Sequence, residues 1–221
     1  MYPVCLQLKD KLCVVIGGGA VAERKVREIL IQQGKVRLVS PALSPKLQTM
    51  ASGDKVVWLR KEYEPEDLNG AFLVYAATSS RAVQKRIQRD ANAANQLINI
   101  ADDPEGSSFH VPASIHRGDL TLAISTNGKS PAMSAMVRKQ LEHTIGEEYG
   151  VLLNLVAAIR SQILAGDEGQ QQKRILFQKI LHQDIIGWIK NDQWELVEEH
   201  INNVLGTTVE VDWKDIRENR L

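Results

Sequence analysis

The feature that most restricts this chain is a glycine-rich turn set directly behind an unbroken apolar run. Residues 12–16, Leu-Cys-Val-Val-Ile, read as a buried strand, and they lead without a spacer into Gly17-Gly18-Gly19-Ala20-Val21-Ala22, after which apolar residues recur at helical spacing. The run fits the pattern G-x-G-x-x-G/A, with Ala22 in the last slot. In that pattern Gly17 permits a tight turn, Gly19 lets a pyrophosphate approach the backbone, and the small third residue lets helix pack closely on strand. The helix that starts here aims unpaired N–H groups and a partial positive charge at the same point. A dinucleotide site is therefore expected, with Gly17, Gly19, Ala20 and Val21 at the phosphates.

A second strand, predicted at 36–40, ends on Ser40. An acidic residue at that place grips a ribose diol, and a nearby arginine accommodates a 2′-phosphate. Ser40 offers a single hydroxyl to donate and no arginine follows it directly, so the expected cofactor is NAD rather than NADP. Its adenosine end is expected against Ser40, Pro41 and Ala42. Ligands of such sheets gather at the carboxyl ends of the strands, which directs the nicotinamide half to residues 76–79, Thr78 among them.

From residue 11 to about 125, short β-rich apolar runs alternate with longer helical patterns. Strands are predicted at 12–16, 36–40, 56–59, 71–77, 97–101 and 120–125, and helices at 21–33, 45–51 and 81–95. The runs at 12–16, 71–77 and 97–101 are apolar at nearly every position, as for central parallel strands buried on both faces. The class is α/β, a doubly wound Rossmann-type parallel sheet. Beyond 125 the pattern turns helical. Ser130-Pro131 is a cap followed by a proline suited to the first helical position, and Met133, Met136, Val137 and Leu141 mark one apolar face that is predicted to be core or a dimer contact. Further helices are predicted at 147–164, 173–181 and 192–205, with a polar loop at 166–172 and a loosely docked tail from Thr207.

Composition serves to exclude. With 27 Lys+Arg against 27 Asp+Glu over 221 residues, there is no basic surplus for nucleic acid or an anionic membrane. Cys5 and Cys13 have no second pair, so neither a disulfide framework nor a four-ligand zinc site can be drawn, and a reducing cytoplasmic compartment is expected. No signal-like opening precedes the first strand, and no apolar run approaches the ~18 residues of a membrane span. His110 and His116 stand six apart in a segment with Val111 and Pro112 that does not bring both to one ion, so no resident metal is expected.

The longer string Gly17-Gly18-Gly19-Ala20-Val21-Ala22-Glu23-Arg24-Lys25 resembles the GGGxVAxRK opening of the precorrin-2 dehydrogenase and sirohydrochlorin ferrochelatase family, the enzymes that finish siroheme. Ala76-Ala77-Thr78 resembles that family's AAT segment, Asn99-Ile100-Ala101-Asp102 its N-x-x-D segment, and the stretch from Ser125 to Pro131 its S-x-x-G-x-S-P segment, in the same order over about the first 140 residues. The resemblance implies oxidation of precorrin-2 to sirohydrochlorin with NAD, followed in many members by insertion of Fe²⁺ as a substrate. It implies an NAD-binding Rossmann domain at 1–112, a dimerisation segment at 113–145 and a helical C-terminal domain at 146–221, assembled as a homodimer. Some members carry a fused methyltransferase, for which this chain is too short, so it looks like the stand-alone form. A dehydrogenase without chelatase activity and a non-catalytic NAD-sensing domain are the alternatives.

Such a substrate, a carboxylate-rich tetrapyrrole, asks for cations or N–H donors around a wide cleft and for a proton acceptor near the nicotinamide. Asp102 ends an apolar strand at that place. By position alone, Asp102 or Asp103 could equally begin the turn Asp103-Pro104-Glu105-Gly106; the resemblance selects Asp102 as the catalytic acceptor. Asn99, His110, Arg117, Lys129 and Ser130 are the candidate substrate contacts, Ser130 through the helix N-terminus it opens. Arg24 and Lys25 read either as cofactor contacts or as a solvated face.

Overall fold

A computed structural model of the chain describes residues 1–166, 169–206 and 210–218. They divide into two units, Met1–Val111 and Pro112–Leu221.

In the first unit, β1 (Leu12–Ile16), β2 (Lys35–Val39), β3 (Val56–Leu59), β4 (Leu73–Ala76) and β5 (Leu97–Ile100) form one parallel sheet in the order β3-β2-β1-β4-β5. Three helices connect them: α1 (Ala20–Ile31), α2 (Pro45–Ala51) and α3 (Arg81–Ala93). The twofold period of a strand sorts β1 into two layers. Cys13 and Val15 point to a core shared with Val26 and Ile29 of α1 and Leu47 of α2, while Val14 and Ile16 point to one shared with Ile87 and Ala91 of α3. An all-apolar strand buried on both faces results, and burial pushes the Cys13 thiol up to about 11. The chain winds outward from β1 to β3, then returns to place β4 on the other side of β1. This reversal opens a crevice at the carboxyl ends of β1 and β4, where open α/β sheets bind ligands.

One strand departs from expectation. β5 is an edge strand with Leu97 40% exposed, rather than a central one. The loop behind it satisfies its free edge: Ile98 N donates to Ser108 Oγ (2.7 Å) and Ile100 N to Ser107 Oγ (2.8 Å). That cover is what an apolar edge strand requires if it is not to pair with another chain.

In the second unit, the predicted strand at 120–125 does not extend the parallel sheet. It is β7 (Leu120–Ile124), antiparallel to β6 (Ala113–Arg117), a strand that the sequence pattern does not predict. The two are joined by the tight turn Gly118-Asp119, with Gly118 at φ 56°. Six helices follow among the described residues: α4 (Pro131–Thr144), α5 (Glu148–Ala165), α6 (Gln170–Ile180), α7 (Ile185–Lys190), α8 (Trp194–Leu205) and α9 (Trp213–Glu218). Val151, Leu155, Ile159 and Ile163 make one stripe of α5, which is packed with Ile180, Ile189, Val197 and Ile201. The tail is more firmly held than its polarity suggested, because Ile216 of α9 is 7% exposed in this core. Thr207–Val209 and residues 219–221 of the predicted tail lie outside the described residues, as do 167 and 168 of the predicted polar loop. The apolar face of α4 is not core: Met133 and Met136 are 52% and 53% exposed. Among the described residues no helix is long and apolar enough to cross a membrane.

Candidate active site

Three consecutive glycines answer three separate demands. Gly17 lies at φ 132°, and a Cβ there would stand 2.3 Å from the Ala77 carbonyl oxygen, so β1 and the end of β4 can run side by side only around a glycine. Gly18, a free position in the sequence pattern, is equally constrained, because a Cβ would stand 1.9 Å from the Ala42 carbonyl oxygen. Gly19 differs, with nothing within 4 Å of where its Cβ would be. It caps α1 in an extended conformation without a capping side chain, and the first helical bond runs from Glu23 N to Gly19 O (3.0 Å). The N–H groups of Ala20, Val21 and Ala22 are thereby left without helical acceptors. Open space beside unpaired N–H groups at a helix N-terminus fits a pyrophosphate. The last slot, Ala22, is fully buried against the sheet.

A cavity of about 370 Å³ opens at this turn, closed by Thr78 and Ser79 after β4 and by Ala101 and Asp102 after β5. It shares walls with two others. One, of about 320 Å³, is lined by Ser40, Pro41, Thr78, Lys61 and Arg86; the other, of about 290 Å³, by Arg24, Lys25, Asn99, Asp102 and His110. In the first of these Ser40 is buried, and its hydroxyl donates to the Ala42 carbonyl (2.7 Å), so it presents lone pairs where a donor to ribose was expected. Ala42 lines a separate hollow with Trp58 and Arg60. Lys61 is tied to Glu64 and to Asp67 (3.1 Å), and Arg86 lies over the Tyr63 ring at 5.5 Å.

The turn after β5 separates the two aspartates that position alone could not distinguish. Asp103 Oδ1 accepts from Gly106 N (2.9 Å), and the Asp103 carbonyl accepts from Ser107 Oγ (2.7 Å). Asp103 is therefore the turn former. Asp102, at φ 60°, is exposed, lines both the 370 and the 290 Å³ cavities, and its carboxylate meets no hydrogen-bond or ionic partner among the described residues. Asn99 donates to the Phe109 carbonyl (3.0 Å), which leaves its Oδ1 to accept. His110 places Nε2 3.0 Å from the Pro104 carbonyl, so that nitrogen donates.

The sequence-predicted substrate contacts of the second unit are placed differently from one another. Arg117 is not a free cation: it donates through Nε to the Ile145 carbonyl (2.9 Å) and through Nη2 to the Glu142 carbonyl (3.4 Å), and pairs with Glu147 at 3.4 Å. It satisfies orphan carbonyls at the end of α4. Lys129 is exposed, in a loop that turns through Asn127 (φ 53°) and Gly128 (φ 79°). Ser130 caps α4 by accepting from Met133 N (3.1 Å).

Lys25 lies deeper than a solvated face allows. It is 9% exposed, on the face of α1 that carries Ala22, Val26 and Ile29, and its ammonium lies 5.6 Å from the centre of the Tyr75 ring. Burial pulls its pKa down from the ordinary lysine value.

Comparison with known proteins agrees with this layout. Residues 4–113 match the family model described as putative NAD(P)-binding, and residues 117–144 the one described as sirohaem biosynthesis protein central. Siroheme synthase 1 of Aeromonas salmonicida is 35% identical over 185 residues, 84% of this chain and 40% of that protein. The siroheme synthase of Methylobacillus flagellatus is 35% identical over 84% of this chain and 39% of its own length. The chain thus spans about two fifths of the curated relatives it matches. Among solved structures, SirC, a precorrin-2 dehydrogenase, superposes with a TM-score of 0.79 at 26% identity, over 93% of this chain and 100% of that one.

Proposed function

Since the chain belongs to the siroheme synthase family, we propose that it oxidises precorrin-2 to sirohydrochlorin, with NAD as the acceptor. The overall change is precorrin-2 + NAD⁺ → sirohydrochlorin + NADH + H⁺. The likeness to SirC over its full length supports this half of siroheme formation in particular.

The dinucleotide, when bound, supplies the hydride acceptor. What this chain contributes is position and a base. The N–H groups of Ala20–Ala22 and the open space at Gly19 would hold the pyrophosphate, and Thr78, after β4, would face the nicotinamide half. The observation that carries the reading is the free carboxylate of Asp102, lining the dinucleotide cavity and the neighbouring one together. From there it takes the proton that leaves the macrocycle as the hydride departs. The same carboxylate is suited to the pyrrolic protons displaced when Fe²⁺, a substrate, enters sirohydrochlorin.

The test is anaerobic. Precorrin-2 made in situ, with NAD, should yield NADH and the sirohydrochlorin spectrum, and added Fe²⁺ should then give siroheme faster than a protein-free control. NADH without accelerated metal insertion identifies a dehydrogenase-only enzyme, and no NADH favours a sensor domain. Asp102→Asn, which keeps a residue tolerant of positive φ, should lower the rate by about 10²–10⁴-fold with NADH binding intact; wild-type turnover by it ends the assignment. We also propose a cytoplasmic homodimer in which Met133 and Met136 are covered. A strict monomer at micromolar concentration overturns that.

A further inference from the structure

The basic wall of the 290 Å³ cavity has no role in hydride or proton transfer as derived above. Its two cations, Arg24 and Lys25, are neighbours on α1 and share the cavity with Asp102 and Asp103 behind β5. Lys25 is the unusual member. An ammonium carries three donors, yet among the described residues the acceptor it reaches is Glu28 Oε2 at 3.5 Å, on a carboxylate 45% exposed to solvent. The remaining neighbour is the Tyr75 face, in register with Asn99 on the next strand. A nine-tenths buried charge so sparsely partnered destabilises the fold relative to an apolar side chain of the same length, and its lowered pKa agrees with that under-compensation. The proximity of Arg24 adds like-charge repulsion. An anion entering the cavity relieves all three defects at once: unused donors, uncompensated burial and the repulsion between neighbours.

We propose that Lys25 is a substrate-positioning residue, its ammonium anchoring a carboxylate of the tetrapyrrole on the α1 wall of the cavity that Asp102 also lines. This deepens the function proposed above and rests on it. A macrocycle held by one acidic arm at Lys25 extends toward Asp102, which fixes which edge meets the base. Asn99, in the same cavity, has its Oδ1 free to accept from the ring.

The experiment compares wild type, Lys25→Met and Lys25→Arg in the full chain. Lys25→Met keeps length and removes charge. It should melt no lower than wild type, bind NADH within about twofold of wild type, and raise KM for precorrin-2 by about tenfold or more with kcat little changed, the pattern of lost uniform binding. Lys25→Arg should recover most of the KM. Quenching of uroporphyrin, an octacarboxylate porphyrin used as an inert probe, should show a matching loss in Lys25→Met. An unchanged KM in a stable Lys25→Met protein overturns the proposal, as does a loss of stability or NADH affinity that accounts for the whole defect. If wild type yields no NADH from precorrin-2, the parent function fails instead, and the uroporphyrin titration still reports whether Lys25 holds a polycarboxylate.

Discussion

Replacing Gly19 and Gly17 by alanine, one at a time, should separate ligand space from backbone space. At Gly19 the backbone is extended and the position of a Cβ is empty to 4 Å. Alanine is a poorer cap than glycine by up to about 1 kcal/mol, and restricting the unfolded chain returns about 0.4–1 kcal/mol. The two nearly cancel, so the melting temperature should move by no more than about 4 °C. The methyl group, however, occupies the place proposed for the pyrophosphate at the N–H groups of α1. Losing one hydrogen bond to a charged group there is worth about 1.5–3 kcal/mol, which weakens NADH binding by roughly 10- to 100-fold. At Gly17 the order reverses. Positive φ and a carbonyl oxygen at 2.3 Å cost about 3 kcal/mol, a drop of roughly 6–12 °C. Thermal unfolding by circular dichroism and NADH fluorescence titration read the two quantities separately. A folded Gly19→Ala protein with wild-type NADH affinity would falsify the assignment of that space to the cofactor, and a Gly17→Ala protein as stable as wild type would refute the contact argument.

Arg117→Met should lower stability by about 2 kcal/mol, since it strips buried charged hydrogen bonds from the end of α4, while NADH affinity and KM for precorrin-2 stay at wild-type values; full stability with a raised KM would instead make Arg117 a substrate cation. Cys13 sets an alkaline limit. Its folded pKa is about 11 against an ordinary value of 9.0, so the unfolded thiol ionises first and stability falls as pH rises from 9 to about 11, by roughly 3 kcal/mol in all. A Cys13→Ala variant should lack that part of the slope in urea titrations across this range, and identical slopes would contradict it.

Where local chemistry dominates, the sequence was a good guide. The glycine turn, the strand and helix on either side of it and the Ser130-Pro131 cap each depend on residues a few positions apart. What the sequence leaves hidden shares a physical cause, dependence on partners far along the chain. The apolar run at 97–101 is an edge because no further strand pairs with it among the described residues, and Ser107 and Ser108 take up its free N–H groups instead. Arg117, a candidate substrate contact by sequence, is also held by the carbonyls at 142 and 145, partners 25 and 28 residues away. β6 reads as polar and irregular, although Gly118-Asp119 between two runs was a usable hairpin signal. Lys25 was visible too. Ala22, Lys25, Val26 and Ile29 fall at i, i+3, i+4 and i+7, so the helical period itself placed a charge on the buried face.

The left-handed backbone at Asp102 bears on how this position is inherited. Because φ is 60° there, the residues that drift in without strain are asparagine and glycine, with aspartate itself. A descendant that lost the activity proposed here would still be held to this short alphabet by its backbone. An aspartate kept at this site in a set of relatives would therefore record the shape of the turn as well as the chemistry proposed for it, and the appearance of asparagine, isosteric and equally at home in the turn, would mark a lineage that has given up the proposed proton acceptor.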